Sequence, residues 1–166
     1  QFTPAITALQ DGGYAIVWNS QETGNSAIRA QLYDATGAVR VPAVQVDAPS
    51  SSFQQNADVM QLDGGNLVVL SRGSVGGDVG NVFYQMLDLN GARIGGPVAL
   101  SLLPAETGDG DPFFDNLKHD VQGDRLDGGG FVTVWTETLS NLGQPQENRV
   151  RASIFDASGQ AVARDI

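Results

Sequence analysis

Leu9-Gln10-Asp11-Gly12-Gly13-Tyr14-Ala15-Ile16-Val17-Trp18 decides the reading of this chain, because it recurs. Leu62-Asp63-Gly64-Gly65-Asn66-Leu67-Val68-Val69-Leu70 opens a second unit, and Leu126-Asp127-Gly128-Gly129-Gly130-Phe131-Val132-Thr133-Val134-Trp135 a third. A second shared element follows each: Gln31-Leu32-Tyr33-Asp34-Ala35-Thr36-Gly37, then Gln85-Met86-Leu87-Asp88-Leu89-Asn90-Gly91, then Ser153-Ile154-Phe155-Asp156-Ala157-Ser158-Gly159. The Asp of this element stands at positions 34, 88 and 156, so the unit is fifty-odd residues long and the third copy carries insertions. A repeat of that period marks a modular architecture in which neighbouring units share a core.

Each unit reads as four strands. Asp-Gly between apolar runs is a hairpin signal, because glycine accepts the positive φ that a tight turn demands. In the first unit one strand runs from Pro4 to Leu9 into the turn and a second leaves it from Tyr14 to Trp18. A looser loop is expected next, at Asn19 to Ser26, Ser71 to Gly80 and Thr136 to Asn148. The third strand, Ala27 to Tyr33, alternates Ile28, Ala30 and Leu32 on one face with Arg29 and Gln31 on the other. Asp34 to Gly37 forms a turn. The fourth strand, Val39 to Val46, contains Pro42, which implies an edge position or a bulge. No segment has the pattern of an amphipathic helix of ten or more residues. The expected fold is all-β, with three four-stranded repeats arranged as β-propeller-like blades, and a β-trefoil as the alternative. Two consecutive hairpins per unit and a kelch-like length favour blades. The chain reads as a single repeat domain over 1–166: repeat 1 at 1–50, repeat 2 at 51–104, an acidic insertion at 105–116, and repeat 3 at 112–166. Three blades leave faces uncovered, so self-association or neighbouring repeats are expected partners.

Composition narrows the function. Among 166 residues, 21 are glycine and only 17% are charged, which suits short strands and tight turns. Nine Lys and Arg against nineteen Asp and Glu give a net charge of −10, which repels nucleic acid and anionic membranes. No run of apolar residues is long enough for membrane insertion. The absence of Cys removes disulfides, thiolate metal sites and cysteine nucleophiles. The chain opens at Gln1 without a leader and is expected to be a mature or excised piece of something longer.

Gln1, Pro4, Leu9, Asp11, Gly12, Gly13, Tyr14 and Trp18, followed by Ile28, Gln31, Tyr33, Asp34 and Gly37, resemble a repeat of very large secreted bacterial proteins. These are RTX-type (repeats-in-toxin) calcium-binding proteins and adhesins, mainly of proteobacteria, marked by a DGG-x-x-x-W motif. The second copy departs at Asn66 and Leu70, and the third places Ser153 where Gln stands elsewhere. The resemblance covers essentially the whole chain. It implies a secreted or cell-surface setting, calcium-rich surroundings and a role in adhesion or spacing.

Candidate chemistry is sparse. Asp11, Asp63 and Asp127, and likewise Asp34, Asp88 and Asp156, are read first as acceptors for turn amides. The insertion Glu106-Thr107-Gly108-Asp109-Gly110-Asp111-Pro112-Phe113-Phe114-Asp115-Asn116 gathers oxygen ligands on a turn-rich loop, so Glu106, Asp109, Asp111 and Asp115 are candidate calcium ligands. A solvated loop anchored by Phe113 and Phe114 is the simpler reading. Trp18 and Trp135 stand at equivalent positions and are read as packing groups, with sugar stacking as their candidate binding role. The single histidine, His119, has no Gly-x-Ser-x-Gly elbow to serve, and the distance from Asp11 to Trp18 does not fit a sialidase-type Asp-box. The expected function is therefore a non-enzymatic module for adhesion, binding or assembly, contacting a polysaccharide or a surface protein. The alternatives are a lectin whose chains associate to complete a propeller, an accessory fragment of a secreted hydrolase, and a plain spacer.

Overall fold

A computed structural model describes residues 2–22, 25–47, 54–75, 78–102, 117–139 and 147–166. The candidate calcium ligands Glu106, Asp109, Asp111 and Asp115 lie outside the described residues. Twelve strands form three antiparallel sheets. Blade 1 holds β1 (Phe2–Ala8), β2 (Tyr14–Glu22), β3 (Asn25–Tyr33) and β4 (Val39–Gln45). Blade 2 holds β5 (Gln54–Gln61), β6 (Leu67–Val75), β7 (Asp78–Leu87) and β8 (Arg93–Ala99). Blade 3 holds β9 (Leu117–Arg125), β10 (Phe131–Leu139), β11 (Glu147–Phe155) and β12 (Ala161–Ala163). Within every blade the strands pair in chain order as a meander. Three separate sheets of sequential strands are blades and exclude the trefoil, whose units close upon one another.

The described residues of the stretches expected as loose loops are strand. The register runs without a break from Tyr14↔Tyr33 to Glu22↔Asn25, and β10 and β11 stay paired out to Leu139↔Glu147. Polar composition misleads here because the polar groups are buried and satisfied within the sheet: Ser26 Oγ donates to Asn19 Oδ1 at 3.0 Å with both residues buried. Pro42 falls on β4, the edge of its sheet, beside a break in register with β3.

The tight turns are shared, but their aspartates are not equivalent. In each first hairpin a leucine amide and carbonyl close the turn: Leu9 with Gly13 and Gly12, Leu62 with Asn66 and Gly65, Leu126 with Gly130 and Gly129. Gly12, Gly65 and Gly129 occupy the left-handed region at φ of 88°, 89° and 93°. This bonding aligns Asp11 with Gly64 and Gly128, and leaves Asp63 and Asp127 one position earlier. Only Asp11 is seen to bond within its turn, accepting from Gly13 N at 3.1 Å, and it also pairs with Arg40. Asp63 instead pairs with Arg125 of the next blade. The same alignment sets Ser71, not Leu70, at the position of Trp18 and Trp135.

The second turns are alike in all three blades. Asp34 accepts from Thr36 N and Ala38 N at 2.8 and 3.0 Å, Asp88 from Asn90 N and Ala92 N at 2.8 Å each, and Asp156 from Ser158 N and Gln160 N at 2.9 Å each. These bonds favour the ionised form and lower all three pKa values. In Asp34 and Asp156 the largest cause is the bond from the Thr36 or Ser158 hydroxyl, and in Asp88 the bond from Ala92 N. A depressed folded-state pKa contributes stability that is present above the ordinary aspartate value of about 3.9 and is lost as pH falls through the folded value. Changing all three to Asn is expected to lower the melting temperature at neutral pH, and the gap to wild type is expected to close on acidification below pH ~3.9. Thermal melts across that range check it. A gap independent of pH would locate the effect in something other than charge.

Each blade has two unlike faces. One face of blade 1 (Ala15, Val17, Ile28, Ala30, Leu32) packs on Val59, Leu67, Val69 and Leu87 of blade 2. The other face of blade 2 (Met60, Val68, Leu70, Val82, Tyr84, Met86) packs on Val121, Phe131, Trp135 and Phe155 of blade 3. Aromatic rings dominate this second junction. Phe131 and Phe155 stack at 4.9 Å, Tyr84 meets both edge-on at 5.3 and 5.2 Å, and its hydroxyl donates to Gly159 O at 2.6 Å.

Candidate functional site

The blades converge on their first strands, with β1 against β5 and β5 against β9. Every one of these inner strands breaks register at the same place: between Phe2 and Ala5, between Gln55 and Asp58, and between the partners of Val134 and Thr136. At the break a non-glycine residue takes a left-handed conformation, Thr3 at φ 46°, Asn56 at 52° and Asp120 at 55°. Asn and Asp tolerate this region, whereas a β-branched Thr does so at a cost. A strained conformation repeated in three blades re-aims the chain around the axis, as β-bulges do beside functional sites.

The three bulges line an open cavity of about 370 Å³ whose wall comes from Thr3 to Ala5, Asn56 to Asp58 and Asp120 to Gln122. Sharing Thr3 and Asn56 with it, a second hollow of about 340 Å³ is lined by Phe2 and by the amide and hydroxyl residues Asn19, Gln21, Ser26 and Gln55. Neutral amides and hydroxyls beside an exposed ring suit a ligand that is polar without charge.

Two carboxylates stand on the wall of the first cavity. Asp58 accepts from Val59 N at 2.9 Å and from Gly123 N of the next blade at 3.0 Å. Burial nevertheless pushes its carboxyl above the ordinary aspartate value, and the like charge of Asp124 adds to the effect. Asp120 faces solvent with Oδ2 2.6 Å from His119 Nδ1, and His119 Nε2 lies 3.0 Å from Thr138 Oγ1. Sequence reading passed over Asp58 and Asp120, because nothing local marks a strand residue as axial. The signal was the alignment of the inner strands across repeats.

The two tryptophans are placed differently. Trp135 is 1% exposed within the junction of blades 2 and 3, so no ring face is open to a sugar. Trp18 is half-buried on the outward face of blade 1, in a groove of about 400 Å³. Among the described residues, no group of three or more His, Asp or Glu is placed to hold a metal ion.

No protein-family model and no curated sequence matches the chain. Solved structures do. The blades are similar to an endo-1,5-α-L-arabinanase from Thermotoga petrophila RKU-1, with a TM-score of 0.58 and 13% identity over 99% of this chain and 43% of that one. They are similar to a Cellvibrio cellulosa α-L-arabinanase solved with arabinohexaose, with a TM-score of 0.54 and 13% identity over 97% of this chain and 56% of that one. An exo-β-1,3-galactanase from Clostridium thermocellum gives 0.52 and 10% identity over 97% and 48%. The chain thus spans about half the length of these enzymes, which are five-bladed propellers. The likeness is one of fold. It overturns the expectation of a non-enzymatic adhesion module, because the shared architecture is that of glycoside hydrolases, and the hydrolase-fragment alternative fits it better.

Proposed function

We propose that the chain supplies blades of a carbohydrate-processing propeller and that its axial cavity binds a neutral polysaccharide segment of the arabinan or galactan kind. One observation carries the reading: three equivalent left-handed bulges on β1, β5 and β9 build a single cavity with two carboxylates on its wall. The fold likeness to arabinan and galactan hydrolases supports it. Asp58 is held toward its protonated form while Asp120 is open to water, the kind of unlike pair that acid–base glycoside hydrolysis uses. The amides of Gln21, Gln55 and Asn56 offer both donors and acceptors to sugar hydroxyls.

Calorimetric titration with arabino- and galacto-oligosaccharides tests binding, and release of reducing ends from the polymers tests turnover. Binding is expected to be lost in Asp120→Ala and weakened in Asn56→Ala. Turnover, where present, is expected to vanish in Asp58→Asn. Absence of binding to both sugar series would overturn the proposal.

A further inference from the structure

The second turns of blades 2 and 3 each meet the blade before, and the two seats differ. Blade 2 sets Gly91 against β4 of blade 1, where an added Cβ would come within 2.9 Å of Val41 and 3.2 Å of Val44. Val41 is buried and fills that junction. Counting from Asp34 and Asp88, the counterparts of Val41, Pro42 and Val44 on β8 are Gly95, Gly96 and Val98. A Cβ at Gly95 or Gly96 would meet nothing within 4 Å. Tyr84 stands where blade 1 has Ala30 and supports Gly159 through its hydroxyl, but the space beside it stays open. The result is a cavity of about 400 Å³ at the outer rim between blades 2 and 3, lined by Tyr84, Met86, Ile94, Val98 and the two glycines. Its walls belong to an internal junction, on the side of β8 and far along the sheet from the axial strand β5.

Arg164 lines the same cavity. Its Nη1 donates to Ala99 O and to Leu100 O, and its guanidinium lies 5.1 Å over the ring of Phe155, so the group is held in place. Arg40, Arg125, Arg149 and Arg151 each pair with a carboxylate. Among the described residues none pairs with Arg164, and its Nε and Nη2 bond to no described residue. A guanidinium fork binds a carboxylate through two parallel bonds. The thioether of Met86 and the ring of Tyr84 suit an aromatic body beside it. We infer that this rim cavity binds a small aromatic carboxylate, with its acid on Arg164 and its ring against Tyr84, Met86 and Val98. The volume falls in the range of ~300–1,000 Å³ that small-molecule sites occupy. The site shares no residue with the axial cavity and stands or falls separately from the carbohydrate reading.

Methyl NMR on the whole chain, labelled at methionine and titrated with benzoate, tests the site. Met60 and Met86 are the two methionines, and Met86 is the one that lines the cavity. The Met86 signal is expected to shift to saturation while the Met60 signal stays in place. Benzyl alcohol lacks the charge and acetate lacks the ring, so each is expected to bind roughly tenfold more weakly than benzoate, or worse. Arg164→Gln is expected to abolish the preference for benzoate over benzyl alcohol. Gly96→Leu places its side chain in open space, and is expected to block both ligands at an unchanged melting temperature. It keeps the test decisive should Arg164→Gln fail to fold. A Met86 signal that benzoate does not move at millimolar concentration overturns the inference. So does equal affinity for benzoate and benzyl alcohol, a preference that survives Arg164→Gln, or benzoate binding that survives Gly96→Leu.

Discussion

Trp135→Ala is expected to lower the unfolding free energy by about 3–5 kcal/mol, the range for truncating a large enclosed aromatic. The ring is 1% exposed and belongs to the cluster of Phe131, Phe155, Tyr84, Leu70 and Val82 that joins blades 2 and 3. The core clusters join blade 1 to blade 2 and blade 2 to blade 3, so the loss falls on the docking of blade 3 and not evenly on the chain. Hydrogen exchange is expected to rise first in β9 to β12, while β1 to β4 keep their protection. Trp135→Phe is expected to cost much less. It keeps a ring in the cluster and removes an indole N–H that finds no acceptor, a group whose burial costs about 1–3 kcal/mol. Urea denaturation of the two variants checks the ranking. An alanine variant within about 1 kcal/mol of wild type would mean that the junction collapses around the gap instead of leaving a cavity.

Arg151→Met is expected to cost about 3–5 kcal/mol, the penalty for stripping one partner from a buried ion pair. Glu137 is 2% exposed, and its Oε2 accepts from Arg151 Nε at 3.0 Å. Arg151 also donates to Asp165 O at 3.3 Å, which ties β11 to the segment after β12. Directly opposite Glu137 across the strand pair stands Lys118, 0% exposed, whose Nζ donates to Asn81 Oδ1 of blade 2 at 3.0 Å. This is a polar junction inside an apolar interface, where a carboxylate that loses its guanidinium has no water to take the vacated place. Adding Glu137→Gln to Arg151→Met removes the carboxylate that lost its guanidinium and is expected to recover part of the loss, because the buried Lys118 then faces a neutral amide. A double-mutant cycle measures the coupling, and additive single effects would show that the two side chains act independently.

Much of the fold was legible because its signals are local. Asp-Gly turns, alternating apolar residues and a repeated second turn built on Asp34, Asp88 and Asp156 each report on a few consecutive residues. Where reading by eye failed, the cause was equally definite. Aligning the Asp-Gly-Gly letters placed Asp11 with Asp63 and Asp127, yet the hydrogen bonds of the turn count from Leu9, Leu62 and Leu126, and the aspartates fall out of phase. Asn19 to Ser26 looked like a loop because its residues are polar, but a sheet buries polar residues readily when they bond one another.

The candidate site was nearly illegible. Thr3, Asn56 and Asp120 share no residue type, and their kinship is a backbone angle that no composition announces. Asp58 owes its raised pKa first to burial and then to the charge of Asp124, sixty-odd residues away on the neighbouring blade, against the opposing pull of the bond from Gly123 N. The fate of the tryptophans was hidden for the same reason. Trp18 and Trp135 sit in matching sequence, and what separates them among the described residues is that a face of blade 2 packs over Trp135.

From its residues alone this chain is committed to three meandering sheets of four strands, because turn chemistry and side-chain alternation act over neighbouring residues and need no distant partner. Which face of each sheet is covered, which strand edge lines the axis, and which carboxylates meet there were decided only when blade packed on blade. Those outcomes depend on contacts between segments far apart in the chain, and desolvation, unlike a turn, is a property of the whole surroundings of a group.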